Sequence, residues 1–419
     1  MTPVAVIVLM ATLASPFSAV GLAMMNAGLG RSRSAAHTMM GSLLMMSVGS
    51  IAYFVCGAAF MSDGGLTIAI HGHDWSWLGV RGFFLHGMNW EASPAGAAAV
   101  MHGMICASIV ALIPFGAGSD RWQLASAAAI GSVLAGFVFP LFGHWAWSES
   151  GWLARLPEIA GLPHGFADTG GAGAIQVTGG AAALALVWLL GPRAGKYSDS
   201  GMPTAVPGHD AVLSLTGALF AFVGWLGLNF AGALLYNRIE LSHLPLIGLN
   251  TLLCAAGGAI SAAVVTKSRY GRPDASLCVN GWTGGLVASS GAAAFVFPAV
   301  AVLIGIVAGA MVALAIEVLD VHMAFDDPGG TVAIHFLSGL WGLLAAGLFG
   351  SASATAQTAG VATLLGAIFP LVFFLVWLMS RLLPLRTTAE GDRQGMDLHE
   401  LGAGAYPEFV THHEDTWGR

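Results

Sequence analysis

Nine residues, DTGGAGAIQ from Asp168 to Gln176, recur as DPGGTVAIH from Asp327 to His335. The aspartate, both glycines, the alanine and the isoleucine match, and the last position changes from a carboxamide to an imidazole. An imidazole takes up and releases a proton near neutral pH, whereas a carboxamide offers donors and an acceptor but exchanges none. If Gln176 and His335 face each other, the swap bears directly on how that site handles protons. Each aspartate precedes an apolar run, where a carboxylate accepts bonds from unpaired backbone N–H groups and complements the positive end of a helix dipole. Asp168 has a second use open to it, holding a cation's charge near an entrance without touching the ion. Eight residues separate each aspartate from the terminal Gln or His, about 12 Å of α-helical rise.

The elements that position these residues follow from composition. Charged residues make up 9% of the 419, hydrophobic residues 56%, and mean hydropathy is +0.76. Soluble domains carry about 25% charged residues. The chain therefore reads as an all-α integral membrane protein, with apolar runs of the roughly 20 residues that a bilayer-crossing helix needs. A closed barrel would show short alternating segments instead. Eleven spans are expected, near 4–29, 38–61, 97–116, 121–145, 169–190, 211–235, 244–266, 277–296, 298–319, 330–350 and 359–383. Residues 1–385 form the membrane domain and 386–419 the tail.

Positive residues are retained on the cytoplasmic side. Arg31, Arg33, Arg121, Arg193, Lys196, Lys267, Arg269 and Arg272 fall in one set of loops, joined by Arg386, Arg393 and Arg419 of the tail; Arg81, Arg155 and Arg238 fall on the other side. This places the N-terminus outside and the tail in the cytoplasm of a cell-membrane protein. No basic region precedes the first apolar run and no cleavage site is evident, so residues 4–29 read as a retained helix.

The net charge of −7 is dispersed, with no basic surface for nucleic acid. Cys56, Cys106, Cys254 and Cys278 lack paired spacing and read as packing residues. The outer HGHDW stretch, His71 to Trp75, with His86 nearby, and His412 with His413, read as solvated imidazoles and not as a metal site. His102 and His322 read as buried, hydrogen-bonded side chains. No nucleotide-binding glycine pattern, nucleophile elbow or catalytic carboxylate pair occurs in a suitable context, so the chain reads as a non-enzyme without a cofactor.

The repeat has a direction. Asp168 opens the fifth span from outside and Asp327 the tenth from inside, and FSAVGLAMMN, Phe17 to Asn26, in the first span is matched by FAFVGWLGLN, Phe220 to Asn229, in the sixth. Spans one to five and six to ten thus read as inverted copies of a five-helix unit, with the eleventh outside the repeat. In such an arrangement a substrate path lies near the midplane between the halves. Gln176 and His335 then come close at mid-depth, where polar groups need each other or a watery path. A His–Gln bond tying two helices and a pore-lining role both fit.

Further stretches carry a resemblance. They are HWAW from His144 to Trp147, WLGLN from Trp225 to Asn229, Asn280–Gly281, DDPGGTVAIH from Asp326 to His335, and GMDLHELGAGAY from Gly395 to Tyr406. In this order, over nearly its full length, the chain resembles the Amt/Mep ammonium transporters of the Amt/Rh superfamily. The resemblance implies a homotrimer with one narrow pore per subunit, a vestibule that recognises ammonium by cation–π contact, two gating phenylalanines and two lumen histidines. By position, Trp147 corresponds to the vestibule tryptophan, Asp168 to the acidic residue behind it, His335 to the second lumen histidine, and Trp225 with Asn229 to the sixth-span motif.

The departures cluster in the pore. Gln176 stands at the first lumen histidine, Cys106 or Met104 at the third-span phenylalanine, Leu228 at the second gating phenylalanine, and Gly232 at a cation-binding serine. The entrance thus reads as keeping Trp147 and losing a hydroxyl and both rings. A cation over an aromatic face gains about 0.5–2 kcal/mol, so losing one wall weakens binding without abolishing it. The implied function is transport of ammonium or ammonia with altered proton coupling. The alternatives are an ammonium sensor signalling through its tail, for which nitrogen-regulatory PII proteins are the partner the family suggests, and a channel for another small neutral molecule. The tail, about 35 residues, is too short for an output domain of its own.

Overall fold

The computed structural model describes residues 2–70, 72–88 and 93–406, so that His71, His412 and His413 lie outside the described residues. The long helices, in chain order, are α1 (Pro3–Leu29), α2 (Ser32–Met61), α3 (Pro94–Gly118), α4 (Leu124–Trp147), α5 (Ala172–Leu190), α6 (Ala211–Leu235), α7 (Leu241–Tyr270), α8 (Ala275–Ala292), α9 (Pro298–His322), α10 (Val332–Phe349) and α11 (Ala354–Leu382). Among the described residues, ten of these are long and apolar enough to cross a membrane; α8 is diluted by polar residues such as Asn280, Ser289 and Ser290. It is walled in by other helices along its length from Val279 to Ala292, Trp282 being only partly covered, and so needs no lipid-compatible surface. An antiparallel hairpin, β1 (Gly65–Ile70) and β2 (His73–Gly79), follows α2.

The solvent pattern is that of a membrane protein. Leu43, Leu219, Ile260 and Phe297 stand exposed, while Thr12, Ser42, Asn250 and Thr251 are buried. Buried hydroxyls turn back on their own helices, Ser42 to the Thr38 carbonyl (2.7 Å) and Thr251 to that of Ile247 (2.8 Å), satisfying donors that lipid would not. Helix starts are set by side chains that accept the first free amides: Asp210 from Leu213 (2.8 Å) and Asp274 from Leu277 (2.9 Å). Pro16 breaks α1 after Ser15, whose hydroxyl takes the Ala11 carbonyl (3.0 Å). His322 is exposed at the end of α9, against the expectation of burial, because the helix runs past the packed region there.

The two matched segments touch across the fold. Phe17 and Phe220 stack with centroids 5.8 Å apart. A Cβ on Gly21 would meet the backbone of Gly217 and Ala221 at 2.5 Å, so glycine lets α1 and α6 cross backbone to backbone.

An ion network binds the tail to the loops around Asp120. Arg31 reaches both Asp120 (3.0 Å) and Asp392 (3.0 Å), and Asp392 also takes Arg386 (2.7 Å) and the Ala194 amide (3.0 Å). Asp397 accepts the amides of Ala36 (3.2 Å) and His37 (2.7 Å), while Glu400 accepts from His37 Nε2 (2.8 Å) and the Leu124 amide (3.1 Å). Burial pushes the Asp392 carboxyl up, but the Ala194 amide, Arg31 and Arg386 outweigh it and hold the group below its usual range. Burial likewise acts against Glu400, and His37 with the Leu124 amide outweighs it. Groups depressed in the folded state contribute fully above their unfolded values, about pH 4, and lose that contribution as pH falls through the folded values. Limited proteolysis is thus expected to find the tail protected at pH 7 and at pH 5.5 and cleaved below about pH 4. Asp392→Asn should be cleaved already at pH 7; equal protection of that variant would show that the carboxylate does not hold the tail.

Candidate functional site

The two DxGG turns are built alike. Asp168 is fully buried, and its carboxylate accepts the amides of Gly173 (3.1 Å) and Ala174 (2.8 Å); Asp327 accepts that of Val332 (2.8 Å). The second glycine of each copy, Gly171 (φ +80°) and Gly330 (φ +66°), takes the left-handed conformation, which explains why both copies carry glycine there. Helix begins only at Ala172 and Val332, and each copy opens with a wide i→i+5 turn, Ala172–Val177 and Val332–Leu337. The expected eight residues of regular rise are therefore replaced by a non-helical turn and a short π segment, a feature frequent at functional sites.

These turns deliver Gln176 and His335 to one another. Both are buried, and His335 Nδ1 lies 2.7 Å from Gln176 Oε1. With the oxygen facing the imidazole, Nδ1 carries the hydrogen and donates it, which leaves Nε2 as the free lone pair. The other end of the carboxamide, Gln176 Nε2, is buried without a partner. The copies also interlock elsewhere. Asn26 lies against Gly329 of the second turn and Asn229, its counterpart, against Gly170 of the first; Asn229 Nδ2 donates to Thr251 (2.9 Å) and Ser289 (3.1 Å).

Trp147 ends α4 and lines a cavity of about 1250 Å³. Its indole N–H donates to the backbone carbonyl of Asp168 (2.8 Å), so the ring is held against the first DxGG turn while the Asp168 carboxylate serves that turn's amides. The structure thus brings together Trp147 with Asp168, and Gln176 with His335. Trp225 and Leu228 are buried in α6, Cys106 is buried in α3, and Met104 is half-buried one turn before Ser108.

Gly232 packs directly on the Thr169 carbonyl, where a Cβ has no space. Gly232→Ser, which would place a hydroxyl here, is expected to displace that turn and lower thermal stability in detergent by several degrees, about 1–3 kcal/mol of overpacking. An unchanged melting temperature would mean that the turn yields freely.

The surroundings of Trp147 are more aromatic than the sequence led us to expect. Tyr236, at the end of α6, lays its ring on Trp147 with centroids 4.0 Å apart and planes within 1°. Phe139 meets Trp147 edge-on (5.9 Å) and Tyr53 packs on Phe139 (6.1 Å). Tyr236 was missed because its partner lies 89 positions away in the chain; its one local signal is that it follows Gly232 by a helical turn. His102 is buried as expected, but its Nδ1 has no hydrogen-bond partner. Among the described residues no group of three or more His, Cys, Asp or Glu side chains is placed to hold a metal ion.

Comparison with known proteins bears on this geometry. The profile of the Ammonium Transporter Family matches residues 5–406. Ammonium transporter Amt2 of Archaeoglobus fulgidus is 33% identical over 418 residues, covering 94% of this chain and 86% of its own. Ammonium transporter Amt1 of Haloferax mediterranei is 28% identical over 420 residues, covering 93% and 76%. A solved structure described as a Sensor Amt Protein superposes with a TM-score of 0.86 at 26% identity, over 95% of this chain and 98% of that one. Mep2 of Candida albicans shares the fold, with a TM-score of 0.79 at 22% identity over 97% and 90%.

Proposed function

Since this chain belongs to the ammonium transporter family, whose members are transporters and not enzymes, we propose that it passes ammonium or ammonia across the cell membrane past Gln176 and His335, with proton handling altered by the glutamine. The observation that carries the reading is the direct Gln176–His335 bond (2.7 Å) between the ends of two matched segments. Of that pair only the imidazole has a ring nitrogen able to take up a proton; the carboxamide does not.

The arrangement proposed with it is eleven spans, α8 included, with the N-terminus outside and the tail in the cytoplasm, in two inverted five-helix units. Contacts between equivalent residues support the twofold: Gln176 with His335, Phe17 with Phe220, and Asn26 and Asn229 each against the other copy's glycine turn. A homotrimer with a pore in each subunit and a PII protein at the cytoplasmic face complete the proposal, both resting on the family resemblance.

Proteoliposomes loaded with a pH dye test this. An inward ammonium gradient should alkalinise the lumen faster than in empty liposomes. A second reading, ammonium sensing, is favoured by the likeness to the Sensor Amt Protein and by the tail's ties to the loops through Asp392, Asp397 and Glu400. It would be supported by ammonium-induced stabilisation of the purified chain with neither accelerated alkalinisation nor accelerated accumulation of ammonium in the lumen.

A further inference from the structure

The helices α2 and α4 are each interrupted by a wide i→i+5 turn, Tyr53–Gly57 in one and Leu134–Val138 in the other. The two turns face each other: a Cβ on Gly136 would lie 3.1 Å from Cys56 Sγ and 3.3 Å from the Ala52 side chain. Each such turn adds a residue to its helix and breaks the regular spacing with which neighbouring helices pack. Beside this contact lies a groove of about 520 Å³, walled by Val48, Ile51 and Val55 of α2 and by Val133 and Phe137 of α4. It offers a ligand no free polar group. Ser132 gives its hydroxyl hydrogen to the Ala128 carbonyl (2.8 Å), and the Cys56 thiol turns to the carbonyls of Gly136 (3.4 Å) and Ala52 (3.5 Å).

The groove is continuous with the apolar outer surface of two membrane-spanning helices, since its wall residue Ile51 is 63% exposed and Leu43, two turns earlier in α2, is exposed as well. The counterpart pair in the proposed repeat, α7 and α9, has no such opening. Neither of those helices carries a wide turn, and Gly305 and Gly309 of α9 rest directly on the Cys254 and Gly258 carbonyls of α7. Where every neighbour is apolar, close packing is what holds groups together, so the open pair calls for an apolar filler. A helix of another copy, about 10–12 Å across, does not enter between two helices already in contact, whereas a single hydrocarbon chain lies along them.

We propose that the groove between α2 and α4 holds one acyl chain of a membrane phospholipid, a resident partner distinct from the lipid that passes over the open faces. The acyl chain lies behind a functional wall. Tyr53, in the same wide turn as Cys56, lines the cavity beside Trp147 and packs on Phe139 (6.1 Å), so the occupant braces that wall from the membrane side. The inference goes beyond the transport reading and does not depend on what the protein carries.

The test is photolabelling of the full chain in proteoliposomes containing phosphatidylcholine with a diazirine midway along one acyl chain, the adducts being mapped by mass spectrometry. Residues 48–56 and 132–137 are expected to take at least about fivefold more label than the exposed Leu365 and Phe374 of α11, the ratio given by about 1 kcal/mol of extra packing. Val133→Trp, which fills the groove with protein, should lower that label to the α11 level and leave the α11 label as in the native protein. Val55→Trp, acting from the opposite wall, should do the same, so that a filler that fails to fold leaves the other to decide. Groove label no stronger than that of α11, as a second copy covering the groove would also give, would overturn the proposal. So would strong label that persists in both filled variants.

Discussion

Arg193→Ala is expected to cost about 3–5 kcal/mol of stability, the largest effect of any single substitution considered for this chain. The Arg193 fork takes both oxygens of Asp326, Nε to Oδ2 (2.9 Å) and Nη2 to Oδ1 (2.8 Å), and gives Nη1 to Asp120 (2.9 Å). Asp120 and Asp326 are both buried, so removing the guanidinium takes the shared partner of two carboxylates, leaving Asp120 to Arg31 (3.0 Å) and Asp326 to the more distant Arg121 (3.8 Å). Burial pushes Asp326 up, yet Arg121 and Arg193 outweigh it and hold the group at about 2. A carboxyl depressed in this way stabilises fully above its unfolded value, near 4, and ceases to do so as pH falls through about 2, so the native network is intact across the neutral range. Arg193→Lys keeps the charge but loses the planar fork and should fall between native and alanine. Thermal unfolding in detergent at pH 7 measures the series. A melting temperature for Arg193→Ala within a degree or two of native would show that the loops are held by other contacts.

His335→Leu is the substitution expected to damage transport most. It removes the sole proton-exchanging group of the pair and leaves Gln176 with neither end bonded, since Nε2 already lacks a partner. The stability cost should be about 1–3 kcal/mol, that of a buried polar group left alone. Ammonium-dependent alkalinisation should fall by at least about tenfold, equivalent to about 1.4 kcal/mol on the barrier. The double change Gln176→Leu with His335→Leu separates the two effects, because replacing both partners with apolar groups restores much of the stability. Transport should stay lost in it. If the double variant regains flux together with stability, the pair acts only as a tie between helices.

The residues that were legible in the sequence are those whose constraint is local or repeated. Asp168 and Asp327 were readable as caps because a carboxylate ahead of an apolar run has few other uses, and the meeting of Gln176 with His335 was expected from the match between the two nine-residue segments. The helix α8 was readable from its apolar run although its hydropathy is modest, because a helix walled in by protein tolerates Asn280 and Ser289 where lipid would not. The Trp147–Tyr236 stack joins chain positions with no common period, and the Arg193–Asp326 pair spans 133 positions, so neither leaves a pattern in one sequence. The wide turns at Ala172 and Val332 escaped because hydrophobic spacing over six residues does not separate i→i+4 from i→i+5 bonding. His322 illustrates the reverse error: an apolar neighbourhood suggested burial, and only the helix end determined exposure.

The account turns on proton handling by the Gln176–His335 pair, and a paired measurement addresses it. Proteoliposomes of the native chain and of Gln176→His, matched for ammonium flux by chemical assay of the ammonium accumulated in the lumen, would be pulsed with ammonium on a solid-supported membrane and the transported charge recorded. The account predicts a charge-to-flux ratio in the native chain at least about tenfold below that of Gln176→His, because the glutamine cannot pass a proton to or from His335 near neutral pH. Equal ratios in the two proteins would contradict it, showing that charge crosses by a route on which position 176 has no say.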